Sequence, residues 1–191
     1  MTVPQRVPVS AMFAYSMEVL GKPSVATFER YERHGTAREA FSYVAIAAAV
    51  SALIGLVGGL GGAIVAFLTT MLGFLVFTYA VYFAGKTFFG GTGTYDEVAF
   101  TFSLFYVPLS VIGALLGLIP LLGLLTGLII LVAQIYYGYL AVQSSMNIRD
   151  SGPAIITLVI AGAVNFVLAM IIGGIFAAIL IGGAMMSGAG R

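Results

Sequence analysis

Along the 191 residues, long apolar runs without charge alternate with short polar segments. Residues 40–57, 63–84, 98–118, 121–143 and 154–181 contain no Asp, Glu, Lys or Arg. Each run approaches or exceeds the roughly 20 residues a helix needs to cross hydrocarbon. The pattern predicts an all-α fold, a polytopic integral membrane protein with a five-transmembrane-helix bundle over residues 40–185. Ahead of it, residues 1–39 predict a cytoplasmic segment with two short helices. Ser10–Leu20 is closed by Gly21 with Pro23 beyond, and Ser24–His34 is closed by Gly35. Phe13, Met17 and Leu20 share one face of the first, and Phe28 and Tyr31 one face of the second. Such stripes suit interfacial amphipathic helices, with a groove on a partner protein as the other use. Residues 186–191 are left as a short external tail.

Two helix starts are written into the polar segments. Thr36 with Glu39, and Thr94 with Glu97, have the Thr-x-x-Glu spacing of a capping box just ahead of an apolar run. Each box is followed by an apolar hairpin with a short Gly or Pro turn, ending in "YAVYFAG" and "YYGYLAV" respectively. The two hairpins read either as a parallel repeat or as convergent hairpin design.

Composition narrows the class. Hydrophobic residues make up 61% of the chain and charged residues 8%, against roughly a quarter charged in a soluble domain. The first forty residues mix Glu18, Lys22, Glu29, Arg30, Glu32 and Arg33 with turn formers, so no cleavable signal peptide is expected. Cysteine is absent, which excludes disulfides, thiolate catalysis and cysteine-built metal sites. The net charge of +1 gives no reason to expect a nucleic-acid partner.

The placement of charge says more. With five crossings, Arg6, Lys22, Arg30, Arg33, Arg38, Lys86 and Arg149 fall on one side and Arg191 on the other. The positive-inside rule then predicts a cytoplasmic N-terminus and an external C-terminus in the cell (inner) membrane. The nearly chargeless turns on the external side leave no room for a large binding domain there.

Ala80–Thr87, "AVYFAGKT", loosely matches a phosphate loop, but a phosphate loop needs slim backbone between a strand and a helix. Here Val81, Tyr82 and Phe83 finish an apolar span. The better reading is a membrane corner, with Lys86 reaching to the headgroups and Tyr79 and Tyr82 in an aromatic belt.

Within the spans the informative polar residues are Ser51, Gln134 and Asn165, with Pro108 breaking the third helix. All four lie about ten to twelve residues from the cytoplasmic helix ends, near the midplane by the rise of a helix. They form a candidate structural or binding layer. Pro108 frees the Leu104 carbonyl, and Gln134 and Asn165 are expected to bond each other or that carbonyl, as structural glue or as the lining of a substrate path. Gly55 with Gly59, Gly113 with Gly117, and Gly123 with Gly127 have a spacing that lets helices approach, within one chain or in a homo-oligomer. Lys86, Asp96, Glu97, Arg149 and Asp150 are a candidate cytoplasmic contact patch for a protein partner, the last four pairing with one another as the alternative, and capping and solvated loops are the simpler account. His34 ends a helix, where a dipole or capping role is the default. With no ionisable group inside the spans, no enzyme activity, no cofactor, no metal and no proton coupling is expected.

The segments "EVLGKPSVATFERY", "FFGGTGTYDEVAFTFSLFYVP" and "GLIPLLGLLTGLIILVAQIYYGYLAVQ", in a chain of five predicted spans, resemble the Yip domain family. These are the Ypt/Rab-interacting membrane proteins, here in the short form found in bacteria and archaea. The resemblance covers roughly residues 15–185 and rests on Pro23, Phe28, Gly90, Gly91, Tyr106, Pro108, Pro120 and Gly123. It implies a helical membrane protein with a cytoplasmic N-terminus. Eukaryotic relatives act in vesicle transport and associate with small GTPases and with one another. This chain departs from them in having no long N-terminal extension and no Asp-Leu-Tyr-Gly-Pro motif before or in its first span, which puts the carry-over of GTPase binding in doubt.

Two functions follow as expectations. A membrane organising or adaptor protein, working through helix packing and its cytoplasmic face, predicts tight, dry helix contacts. An uncoupled channel, transporter or lipid-translocating protein predicts a water-filled or lipid-open cavity reaching Gln134 and Asn165. Membrane lipids are partners in either case.

Overall fold

The structure, a computed structural model, describes residues 7–188. Arg6, and Arg191 with the end of the expected tail, lie outside the described residues. The described chain is all helical: α1 (Val9–Gly21), α2 (Val25–Tyr31), α3 (Ala37–Gly55), a 3-10 turn (Leu56–Gly58), α4 (Gly59–Phe89), α5 (Tyr95–Leu116), α6 (Pro120–Ser145) and α7 (Ser151–Gly188).

Apolar helix long enough to cross a bilayer runs over Ala37–Phe89, Tyr95–Leu116, Gly123–Ser145 and Ser151–Ala178. The first of these stretches, 53 residues long, doubles back on itself. Gly59 adopts a left-handed φ of 79° after the 3-10 turn, and Gly55 then meets Gly62 across the hairpin. A Cβ on Gly55 would lie 2.7 Å from the Gly62 carbonyl oxygen. The turn therefore divides that stretch into α3 and α4, giving five apolar helices in the bundle.

The helices run past the apolar runs where their stop signals stand further out. α4 continues through Lys86 to Phe89 and ends at Gly90, whose φ of 66° is left-handed. α5 starts at Tyr95 because Thr94 and Glu97 close a capping box: Thr94 N donates to Glu97 Oε2 at 2.7 Å and Glu97 N to Thr94 Oγ1 at 3.3 Å. At α3, Thr36 N donates to Glu39 Oε2 at 3.0 Å. Pro120 occupies the first turn of α6, where its missing amide proton costs nothing.

α5 sits centrally, packed against α3, α6 and α4. It holds an unbroken buried stretch from Val98 to Phe105. α7 packs mainly on α4 and less on α6, its neighbour in sequence.

The short N-terminal helices dock against this bundle. Met12, Ser16 and Val19 of α1 are buried, and Ser16 Oγ lies 3.1 Å from Tyr43 Oη of α3. Phe13 and Met17 remain outward. The Phe28–Tyr31 face of α2 differs from a lipid-facing stripe, because Phe28 is fully buried edge-on to Phe105, with ring centroids 6.2 Å apart. Tyr31 stacks on Tyr15 at 4.3 Å. The aromatic contact with α5 makes the protein interior the better surroundings for that face.

Candidate functional site

The three polar linkers gather at one end of the bundle and are bonded to one another. Asp96 Oδ1 at the start of α5 accepts from Ala37 N at the start of α3, at 2.8 Å. Arg33 Nε, between α2 and α3, donates to Glu97 Oε1 at 3.2 Å. In the loop before α5, Thr92 N donates to the Met146 carbonyl at 3.1 Å, and Asn147 Nδ2 donates to Thr92 Oγ1 at 3.1 Å. Gly93 is wedged so tightly that a Cβ there would lie 1.7 Å from the Ser145 carbonyl oxygen.

Within this network the residues of the expected contact patch have partners other than one another. Asp96 and Glu97 serve the helix starts and Arg33, while Lys86 Nζ donates to Tyr82 Oη at 3.0 Å and lies over the same ring. Among the described residues, no ion pair joins Lys86, Asp96, Glu97, Arg149 and Asp150 to one another. Arg149 contributes its carbonyl, which accepts from Gln143 Nε2 at 2.9 Å. Ala80–Thr87 is continuous α-helix and offers no phosphate-binding loop. His34 packs edge-on to Tyr15 and Tyr31 at 5.8 and 5.6 Å. No group of His, Asp and Glu among the described residues could hold a metal.

Sequence reasoning missed Glu32. Its side chain is buried, Ser144 Oγ of α6 donates to its Oε2 at 2.7 Å, and Arg33 Nε lies 3.5 Å from its Oε1. Burial pushes the Glu32 carboxyl up, as does the charge of Glu97, against the Ser144 hydrogen bond and the Arg33 charge. Only the tertiary approach of α2 to α6 reveals this, since one Glu near a helix end looks solvated in sequence. Glu18 has the opposite environment. It accepts from Tyr31 and Arg30, and its carboxyl is held below the usual range, first by the Tyr31 hydrogen bond.

The expected polar layer splits in two. Gln134 and Asn165 line one cavity of about 990 Å³ between α4, α5, α6 and α7. That volume lies at the upper end of the roughly 300–1,000 Å³ typical of ligand pockets. Ser51 and Pro108 are half-buried elsewhere and do not line it. Among the described residues, Gln134 and Asn165 hydrogen-bond neither each other nor the Leu104 carbonyl. Asn165 Oδ1 instead lies 3.7 Å from where a Cβ on Gly73 would stand.

Aromatic packing shapes the floor of the cavity. Phe74 lies 5.2 Å from Tyr106, Phe77 lies 5.8 Å from Phe102, and Phe102 lies 5.3 Å from Phe105. Its walls are apolar and exposed, with Leu131 and Ile135 on α6 and Val159 and Phe166 on α7. Near the linkers the walls are joined, since Tyr139 Oη lies 2.7 Å from Ser151 Oγ. A Cβ on Gly138 would lie 3.2 Å from Leu158. The result is a groove open along the sides of two apolar helices, with two carboxamides inside it.

The glycine registers mostly serve the chain itself. A Cβ on Gly123 would lie 3.1 Å from Gly117 Cα, and one on Gly113 would lie 2.9 Å from Ile130 Cδ1. Of these six, Gly59 at the turn and Gly127 on α6 meet nothing within 4 Å.

Comparison with known proteins adds the family. The family model described as the Yip1 domain matches residues 17–173, well over half of the chain. No curated protein and no solved structure matches.

Proposed function

Since the chain belongs to the Yip1 domain family, as a multi-pass helical membrane protein, we propose that it binds membrane lipid in the groove between α6 and α7. The observation carrying this reading is the pair of carboxamides, Gln134 and Asn165, which line an open cavity of about 990 Å³ and have no hydrogen-bond partner among the described residues. A carboxamide in hydrocarbon costs several kcal/mol unless it finds a partner. A groove open toward the bilayer admits lipid as the first available one. The role is one of binding and movement without bond chemistry or ion coupling, because the described residues of the groove include no ionisable acid or base beyond tyrosine hydroxyls.

The adaptor reading takes second place on the same geometry. It calls for dry helix contacts and an available cytoplasmic face, whereas Asp96 and Glu97 of that face are held by α3 and Arg33. Homo-oligomers remain compatible with the open surface at Gly127. The linker end, with Lys22, Arg30, Arg33, Arg38, Lys86 and Arg149, is proposed to face the cytoplasm in the cell (inner) membrane. The cysteine-free chain suits single-cysteine labelling: Asp150→Cys should react only from inside and Leu121→Cys only from outside, and the reverse would invert the assignment.

Gly162 provides the functional test, since it borders the groove and a Cβ there meets nothing within 4 Å. Protein purified in mild detergent should carry bound lipid, seen by native mass spectrometry. Gly162→Phe should lose that lipid with its unfolding temperature unchanged. A parent protein that holds no lipid above the detergent background would end the groove reading and leave the adaptor role.

A further inference from the structure

The groove's own chemistry specifies what kind of lipid fits. Among the described residues, none that lines it is Asp, Glu, Lys, Arg or His. Each carboxamide offers two N–H donors and an acceptor oxygen, and neither Gln134 nor Asn165 has a hydrogen-bond partner among the described residues. The threonine and tyrosine hydroxyls around them are partly committed. Thr70 Oγ1 donates to the Ala66 carbonyl at 2.9 Å, and Tyr139 Oη is paired with Ser151. The unmet demand is therefore for a neutral group that both donates and accepts.

A phosphate at this depth would be unneutralised. The nearest cation on the groove's α4 wall, Lys86, stands thirteen residues along the helix from Gly73, roughly 20 Å by the helical rise. It lies over Tyr82. An anion in hydrocarbon without a counter-charge is strongly disfavoured. A phospholipid could still lay its acyl chains along Leu131, Val159 and Phe166 with its headgroup at the surface, but the carboxamides would then stay unsatisfied. A lipid whose polar part is a hydroxyl beside ester carbonyls can follow its chains into the groove and satisfy both.

Resting on the lipid-groove reading, we propose that the site selects an uncharged acyl lipid, of the diacylglycerol class, with its hydroxyl and ester groups at Gln134 and Asn165. The exposed aliphatic walls take the chains. Discrimination against phospholipid comes from the missing cation, and affinity for the neutral lipid from the two amides.

The test uses full-length protein in phosphatidylcholine nanodiscs doped with a photoreactive diacylglycerol or a photoreactive phosphatidylglycerol of equal chain length. Cross-linked peptides are mapped by mass spectrometry. The diacylglycerol should label groove residues in preference to the phospholipid. Gln134→Leu combined with Asn165→Leu should reduce its labelling by about tenfold, the order expected for losing two net hydrogen bonds. Gly162→Phe should abolish labelling by both probes. Equal labelling by the two probes, insensitive to the leucine substitutions, would overturn the selectivity while leaving a lipid groove in place. No groove labelling by either probe would overturn both. Should the leucine variant fail to fold, competition by unlabelled diacylglycerol against unlabelled phosphatidylglycerol in the parent protein decides the same question.

Discussion

At the linker end of the bundle, α3, α5, α6 and α7 are held by capping boxes, cross-helix hydrogen bonds and buried aromatic rings. At the opposite end the helices meet at glycine turns and leave large side chains exposed. Every buried residue between Ala37 and Ala178 falls within 40–48, 74–107 or 138–161, among the described residues. The stretches 49–73, 108–137 and 162–178 contain none. The contrast follows from the two solvents. Where helix ends leave unpaired amides and carbonyls, partners are needed and water drives apolar rings together. In hydrocarbon the helix satisfies its own backbone and no hydrophobic force closes the gap between helices. A groove can stay open there at little cost.

The contrast is sharpest for aromatic truncation. Phe28→Ala should lower stability by about 3–5 kcal/mol, since the ring is fully buried against Phe105. Phe166→Ala, on a side chain 66% exposed, should cost less than about 1 kcal/mol. Thermal unfolding in detergent reads both, and equal losses would erase the distinction between the two ends. Glycine substitutions give a smaller but cleaner contrast. Gly93→Ala drives a methyl into the Ser145 carbonyl and should cost about 1–3 kcal/mol. Gly127→Ala meets open space and should be neutral, or stabilising by up to about 1 kcal/mol through helix propensity.

The smallest effects concern pH and separate two carboxyls within the linker end. Glu32 has a folded pKa raised above its usual 4.5, first by burial. Between those two values the folded chain binds more protons than the unfolded one, so stability falls as pH rises through the window. Glu32→Gln should flatten that slope and raise the unfolding temperature at neutral pH. Glu18 has a lowered pKa, so its contribution is full above 4.5 and is lost as pH falls through the folded value. Glu18→Gln should lose stability at neutral pH and converge with the parent in acid. Slopes of the same sign in the two variants would contradict the packing described for α2.

The legible parts of the sequence were those written locally. Run length gave the apolar helices, and Thr36 with Glu39 and Thr94 with Glu97 gave the two helix starts. The α3–α4 reversal was readable as "GGLGG", although Gly59 alone takes the left-handed φ. Gln134 and Asn165 were readable as costly residues in hydrocarbon, and depth counting correlated them. A cavity reaching both was one of the two expectations, but which helices wall it was not readable, because that depends on α7 packing on α4 more than on α6. Ser51 and Pro108 have the same depth but sit on other faces, and depth counting carries no angular information. The Glu32–Ser144 contact joins residues far apart in the chain, which no local pattern encodes.

The Asp96 carboxylate, seated on the first amide of α3 while opening α5, bears on how the chain is built at the ribosome. Both strokes of the earlier hairpin are translated before residue 96, so that amide waits for a later arrival. The first crossing is finished only when the third has entered the bilayer, and nascent chains arrested upstream of Asp96 should exchange the Ala37 amide proton faster than longer ones.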